Sequence, residues 1–464
     1  MSLPNSSVLV RAAEASRLVT PEQLHCAVVS ACDSGDESTV TAQEVSDDAI
    51  GRRLVELGYL NAWQVDQLKE GRSRFSLGPY RILDAIGRGG MGHVFKVEHE
   101  LLGRVEAIKV LPRNKTNTET IARFRHEIRT QAQLDHPNLV RVNYADHEGD
   151  TYFFVTEFVP GADLRKIVRR LGPLGYEAAA LIVQQAAEGL EHAHRRGLIH
   201  RDIKPGNLLV TPDAVTKLID LGLAWYLEAD IHAAKQGDRL KIVGTADYLA
   251  PETIRDPGRI VPVSDIYSLG CTLYYAVTGK VPFPGGNPAE KMERHVKETP
   301  LSPEQLQPNL PQGFVQLISE MMTKDPKQRV PSAAAVAERL KAWASETSIA
   351  EVSAAVEQVE TLWREEGPQS SSSGPNIDDT LTFDDDDDPF EGLFESPSQG
   401  SQGTDPIAAA THETQSNDTP DIVDDGQSET VTSVRLGRWV VASIVLAVVA
   451  TLGVAGTLLW ELLG

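Results

Sequence analysis

His200-Arg201-Asp202-Ile203-Lys204-Pro205-Gly206-Asn207 decides the reading of this chain. From Asp202 onward it sets a carboxylate that can accept a proton, an ammonium and a carboxamide of the kind that ligates a hard cation within six residues. Leu208 to Val210 and Thr216 to Ile219 read as a two-stranded hairpin behind it, and Asp220-Leu221-Gly222 follows at once, supplying a second carboxylate. A base, a cation and a metal-type amide packed so closely make this a far more specific signal than any single glycine loop or lysine elsewhere in the chain.

Upstream lies Ile86-Gly87-Arg88-Gly89-Gly90-Met91-Gly92-His93-Val94. Glycines at 87, 89 and 92 let backbone amides approach phosphate oxygens that side chains would obstruct. A dinucleotide-binding turn of this pattern opens a helix, whereas Val94 to Glu98 is strand-like, so a nucleotide-covering hairpin is the better fit. Ala107-Ile108-Lys109 comes next, a lysine at the end of an apolar strand. Taken singly, Lys109 reads as a solvated surface group; its apolar flanks instead imply burial, and a buried ammonium needs an anion. Glu127 is the expected partner, beside the apolar face made by Ile121, Phe124 and Ile128, although a surface pair on its own helix would also explain it.

In this order and spacing, residues 80 to about 345 resemble the catalytic domain of eukaryotic-like protein kinases, of the Ser/Thr type found in bacteria. The resemblance implies an α+β, bilobal fold with a small β-rich N-lobe and a large helical C-lobe. It implies ATP and Mg²⁺ (or Mn²⁺) as cofactors and protein Ser/Thr hydroxyls as acceptors. Gly87, Gly89 and Gly92 would cover the phosphates, with Ile86, Arg88, Gly90, Met91, Val94 and Ala107 completing the nucleotide site. Lys109, held by Glu127, would contact the α and β phosphates. Asp202 would be the base, Lys204 would steady the transferring group, and Asn207 with Asp220 would hold the metal. Tyr152 to Gly161 resembles the last N-lobe strand and hinge: Thr156 at its rear, the Glu157 carbonyl and Val159 amide at the adenine edge, and Asp163 toward the ribose. Glu252 would pair with Arg329, and Asp265 would anchor the catalytic loop from a buried helix. Lys204 and Thr245 resemble Ser/Thr rather than Tyr specificity. A catalytically inactive scaffold is the competing reading, but it has no need of Lys109, Asp202, Asn207 and Asp220 together.

Two positions depart from the family pattern. Leu221 stands where phenylalanine is usual, and still fills an apolar place. Leu223 to Val243 holds no Ser or Thr, so phosphothreonine control there is excluded, and Glu228, Asp230, Asp238 or dimerisation is expected to order that loop instead.

The remainder of the 464 residues frames this domain. At 41% apolar and 24% charged the chain is neither wholly disordered nor fibrous, and a net charge of -22 disfavours nucleic acid. Sixteen of those charges fall in residues 367–434, a stretch without Lys or Arg that reads as a disordered acidic linker. Within it, Phe383, Phe390, Leu393 and Phe394 are an optional docking motif. Cys26, Cys32 and Cys271 fit neither a disulfide framework nor a zinc site. Residues 1–75 read as a small helical region, in which the segments Leu18-Val19-Thr20-Pro21-Glu22-Gln23 and Tyr59-Leu60-Asn61-Ala62-Trp63-Gln64 look weakly alike, a degenerate repeat of a helix start. Residues 346–366 carry Ile349, Val352, Val356, Val359 and Trp363 on one helical stripe, expected to pack on the preceding domain.

No secretory signal is visible before Val10. Trp439 to Trp460 is 22 residues without an ionisable side chain, enough for a helix to cross a bilayer core of about 30 Å. One C-terminal transmembrane helix is therefore expected at 439–460, with Arg435 and Arg438 holding everything before it on the cytoplasmic face of the cell membrane. Ser443, Ala447, Thr451 and Ala455 form a small-residue stripe compatible with a homodimer.

Overall fold

The structure is a computed structural model that describes residues 7–32, 45–89, 92–111, 118–149, 151–221, 246–256 and 260–366. The expected linker and transmembrane helix, the loop 223–243, Thr245, Gly90 and Met91 lie outside the described residues, as do the side chains of Arg88, Glu127 and Trp363. Among the described residues no helix is long and apolar enough to cross a membrane.

Four short helices come first: α1 (Val8–Ser16), α2 (Pro21–Cys32), α3 (Asp47–Glu56) and α4 (Ala62–Lys69). The two look-alike segments start α2 and α4 by the same device. Thr20 and Gln23 exchange side-chain-to-backbone hydrogen bonds of 2.9 and 3.2 Å, and Asn61 and Gln64 do so at 3.1 and 2.8 Å. Both are capping boxes, which satisfy amides that an isolated helix start leaves open.

The four helices have no core of their own apart from the lobe that follows. Leu60, Val65, Leu68 and Phe75 share one apolar cluster with Ile82, Phe95, Val97, Ile108, Val110, Phe153 and Val155. Trp63 sets its ring edge-on to Phe75 at 6.0 Å and tilted to Phe95 at 6.1 Å, and the Asn61 amide donates to the Leu83 carbonyl at 2.9 Å. Truncating Val65 to alanine should lower stability by about 1.5–3 kcal/mol. Because the core is shared, urea unfolding should show near-ultraviolet signals of bundle and sheet moving together; two separated transitions would disprove the common core.

The sheet is six-stranded and antiparallel in the order β1-β2-β3-β4-β6-β5: β1 (Ser76–Leu77), β2 (Tyr80–Gly89), β3 (Gly92–His99), β4 (Val105–Val110), β5 (Val142–Glu148) and β6 (Thr151–Glu157). Strand alternation sends Ile108 and Val110 to the bundle and Ala107 and Lys109 to the opposite face. On that face Lys109 stands between Val94 and Phe154, and Ala107 between Lys96 and Thr156. Helix α5 (Thr118–Gln131) covers part of it through Phe124 and Ile128, which meet Val142 and Phe154.

The second lobe is helical, which completes the two-lobed α+β architecture. Its small sheet joins β7 (Ala162–Asp163), β8 (Leu208–Val210) and β9 (Thr216–Leu218) around α6 (Leu164–Leu171) and α7 (Tyr176–His194). Helices α8 (Pro251–Arg255), α9 (Pro262–Thr278), α10 (Pro288–Lys297), α11 (Pro303–Leu306), α12 (Gln312–Met321) and α13 (Ala333–Leu340) follow. Every residue of α9 from Ser264 to Thr278 is buried, and its hydroxyls at Ser268, Thr272 and Thr278 are satisfied within the lobe, donating to the carbonyls of Tyr248, Ser268 and Tyr274 in turn. The last helix, α14 (Glu346–Glu366), buries Val352, Val356 and Val359 in the same core as α6 and α7. Ile349 departs from its stripe: it is 47% exposed, because the face turned to the lobe runs through Ser348, Val352, Val356 and Val359 and leaves Ile349 at its edge.

Candidate functional site

The loop 200–207 is held from beneath by one carboxylate. Asp265, 1% exposed on α9, accepts the amides of His200 and Arg201 at 2.8 Å each and bonds His194 Nε2 at 2.8 Å. This matters because Arg201 has φ 68°, a left-handed backbone that costs a non-glycine residue about 1–3 kcal/mol unless its surroundings enforce it. His200 Nε2 meets the Ile219 carbonyl at 2.9 Å and so ties this loop to the strand leading into Asp220, itself at φ 60°.

On that base the polar groups converge. Lys204 Nζ donates to Asp202 Oδ2 at 2.7 Å, and the Asn207 amide donates both to Asp202 Oδ2 at 3.0 Å and to its carbonyl at 2.7 Å. Asn207 therefore directs its nitrogen at Asp202, and its Oδ1 has no protein donor among the described residues. From the other lobe, Lys109 Nζ reaches Asp220 Oδ1 at 2.6 Å. Burial alone would push the Asp220 carboxyl up, but Lys109, with Lys204 and His200 behind it, holds it below the ordinary carboxylate range. It is an anion fixed at the junction of the lobes. Asn207 Oδ1 and the second oxygen of Asp220 are hard donors of the kind Mg²⁺ takes alongside phosphate oxygens, so the residues fit that ion.

The described residues expected at the nucleotide lie on β2 to β4 and from β6 to the start of α6. Gly87 pairs with Val94 and Gly89 with Gly92 across the β2–β3 turn, and Gly92 uses a φ of 118°. Ala107 and Thr156 are cross-strand neighbours on the Lys109 face. At the hinge, the Glu157 amide donates to the Arg141 carbonyl at 3.1 Å while its carboxylate takes Lys217 Nζ at 2.8 Å and the Arg141 amide at 3.0 Å. Asp163 caps α6: its Oδ1 accepts the Lys166 amide at 2.9 Å and its Oδ2 faces Lys166 Nζ at 3.3 Å. That capping role was not part of the sequence reading.

Farther down, Arg329 grips Glu252 with two bonds of 2.7 and 3.0 Å and also donates to the Val263 carbonyl at 2.5 Å and the Thr323 carbonyl at 3.1 Å. Burial raises the Glu252 carboxyl, and the bidentate guanidinium more than offsets it, leaving Glu252 below its usual range.

Sequence reasoning missed His194 and Lys217. His194 sits 71 residues from Asp265 and Lys217 60 residues from Glu157, so no local motif could have signalled either.

The comparisons with known proteins fall on this same region. A family model described as "Protein kinase domain" matches residues 80–340. Curated relatives include a Clostridium perfringens chain named as a probable serine/threonine-protein kinase, 37% identical over 55% of this chain and 36% of its own length. Serine/threonine-protein kinase PknA of Mycobacterium tuberculosis is 38% identical over 57% of this chain and 61% of its own. Serine/threonine-protein kinase PrkC of Bacillus subtilis is 35% identical over 55% of this chain and 39% of its own. The match thus spans less than two thirds of each of these relatives.

Proposed function

The chain belongs to the protein kinase domain family, and from that premise we propose that it transfers the γ-phosphoryl group of ATP to Ser or Thr hydroxyls of proteins. The observation that carries this reading is the arrangement of Asp202, Lys204 and Asn207 within 3.0 Å, facing an Asp220 that Lys109 holds as an anion. In the proposed step the acceptor oxygen bonds to the γ phosphorus as the bond to the β–γ bridging oxygen breaks. The acceptor's proton passes to Asp202, and ADP leaves. Lys109 orients the α and β phosphates, with Glu127 as its further anchor. Lys204 neutralises charge as it spreads over the equatorial oxygens. Gly87, Gly89 and Gly92 bring backbone amides over the phosphates. Asn207 and Asp220 would hold Mg²⁺, which would supply charge neutralisation at the phosphate oxygens. Glu157 and Val159 offer the hinge backbone to adenine, with Thr156 and Ala107 flanking it.

The proposal extends to location. Trp439 to Trp460, with Arg435 and Arg438 before it, supports a single-pass tether to the lipid bilayer that keeps the catalytic lobes at the cytoplasmic face, and its small-residue stripe supports pairing of two copies there.

The test is phosphotransfer by the purified full chain in detergent with radiolabelled ATP, Mg²⁺ and a neutral threonine peptide. Label is expected on threonine, and it should vanish when the metal is chelated. Magnesium-dependent ATP binding without any label in peptide or protein would favour a nucleotide-binding scaffold instead.

A further inference from the structure

Beside the catalytic loop, α6 turns two cations outward. Arg165 and Arg169 are exposed and one helical turn apart, so they share a face distinct from that of Ile167 and Val168, which are buried in the lobe. This face adjoins the chemistry. A Cβ built on Gly206 would lie 3.8 Å from Arg165 Nε, and Gly206 is flanked by Pro205 and Asn207 in the loop whose Lys204 and Asn207 both touch Asp202. The charges of Arg165 and Arg169 are both felt by the Tyr275 hydroxyl, and that of Arg165 by Tyr248 as well. The two arginines therefore rim the surface between the catalytic loop and the turn at Ala246–Tyr248.

The carboxylates near this rim are already committed. Asp163 is capped and paired by Lys166, Asp247 is paired with Lys291 at 3.1 Å, and Asp202 is bonded by Lys204. Neither Arg165 nor Arg169 enters an ion pair among the described residues. Gly206 and Tyr275 add no charge. A lip with two cations that, among the described residues, enter no ion pair attracts acidic chain and repels basic chain, and exposed charges at such range act mainly on encounter and orientation.

Resting on the phosphotransfer reading above, we propose that Arg165 and Arg169 select protein substrates whose Ser or Thr is flanked, within about three residues, by Asp or Glu. An extended chain advances about 3.4 Å per residue, so a carboxylate one to three residues from a hydroxyl at Asp202 can reach α6. The chain itself contains sequence of this chemistry: Asp378-Asp379-Thr380-Leu381-Thr382-Phe383, followed by Asp384 to Asp388.

The experiment compares three synthetic peptides as substrates of the full chain with Mg²⁺ and ATP: residues 374–388 as they stand, the same peptide with every Asp replaced by Asn, and with every Asp replaced by Lys. The acidic peptide should have at least tenfold higher kcat/KM than the lysine version, with the difference in KM rather than kcat and shrinking at 0.5 M salt. In the double variant Arg165→Glu/Arg169→Glu the order of acidic and lysine peptides should invert. Equal use of all three by the wild type would overturn this inference and leave the phosphotransfer reading standing. Persistence of the acidic preference in the double variant would overturn the assignment to α6. No label on any peptide would defeat the underlying activity and the inference with it.

Discussion

Asp202→Asn should lower kcat about 10³-fold while leaving the affinity for Mg-ATP within about threefold of the wild type. The side chain that replaces the base has the same shape, and the Asp202 carbonyl still accepts the Asn207 amide, so the loop keeps its form. What disappears is the acceptor for the hydroxyl proton. The charge that fixes Lys204 at 2.7 Å is lost as well, so two groups acting in the transition state fail together. In the proposed reading nucleotide affinity rests on other elements, the β2–β3 turn, the hinge and the Lys109–Asp220 pair, which the substitution does not touch. Single-turnover transfer at saturating peptide, beside calorimetric titration with Mg-ATP, separates the two quantities. A kcat within tenfold of the wild type would remove Asp202 from the chemistry.

The part of this site that could be read from sequence is the part that is contiguous. Asp202, Lys204 and Asn207 lie within one turn of chain, and their spacing alone brings the carboxylate, ammonium and amide to a common point. The two capping boxes were visible as a faint likeness between Thr20-Pro21-Glu22-Gln23 and Asn61-Ala62-Trp63-Gln64 because a cap is likewise a four-residue event. Contacts set by tertiary packing were harder. The described partner of Lys109 is Asp220, 111 residues away, and the seating of Trp63 and Leu68 against Phe95, Ile108 and Phe153 joins segments far apart in the chain. Ile349 shows the limit of periodicity: a 3,4 pattern locates a face only approximately, and the covered line runs through Ser348, Val352, Val356 and Val359 with Ile349 at its edge. Asp163 shows another. A carboxylate at the mouth of a cleft and a helix cap look identical until the amide of Lys166 is placed.

Gly161→Ala should be the most damaging single methyl in the hinge. Its backbone sits at φ +114°, a region that side-chain-bearing residues avoid, at a cost of about 1–3 kcal/mol. A Cβ there would also fall 2.0 Å from the Val210 carbonyl oxygen and 3.0 Å from Thr211 Cα. Those atoms belong to β8 and the turn after it, pinned by the pairing of Ala162 with Val210 and by the 2.9 Å bond from Thr211 to Val215. The neighbour is backbone rather than a flexible side chain, so relief requires separating β7 from β8, and overpacking of that kind adds roughly another 1–3 kcal/mol. The expected total is about 2–6 kcal/mol, read as a drop in the urea midpoint. Nucleotide affinity should fall too, because the hinge backbone at Glu157 and Val159 is displaced with it. Gly172→Ala is the internal control. That residue has φ +88° but nothing within 4 Å of its Cβ, so it carries the backbone cost without the clash. If the two alanine variants lose equal stability, the close approach of Gly161 to β8 is not what fixes the hinge.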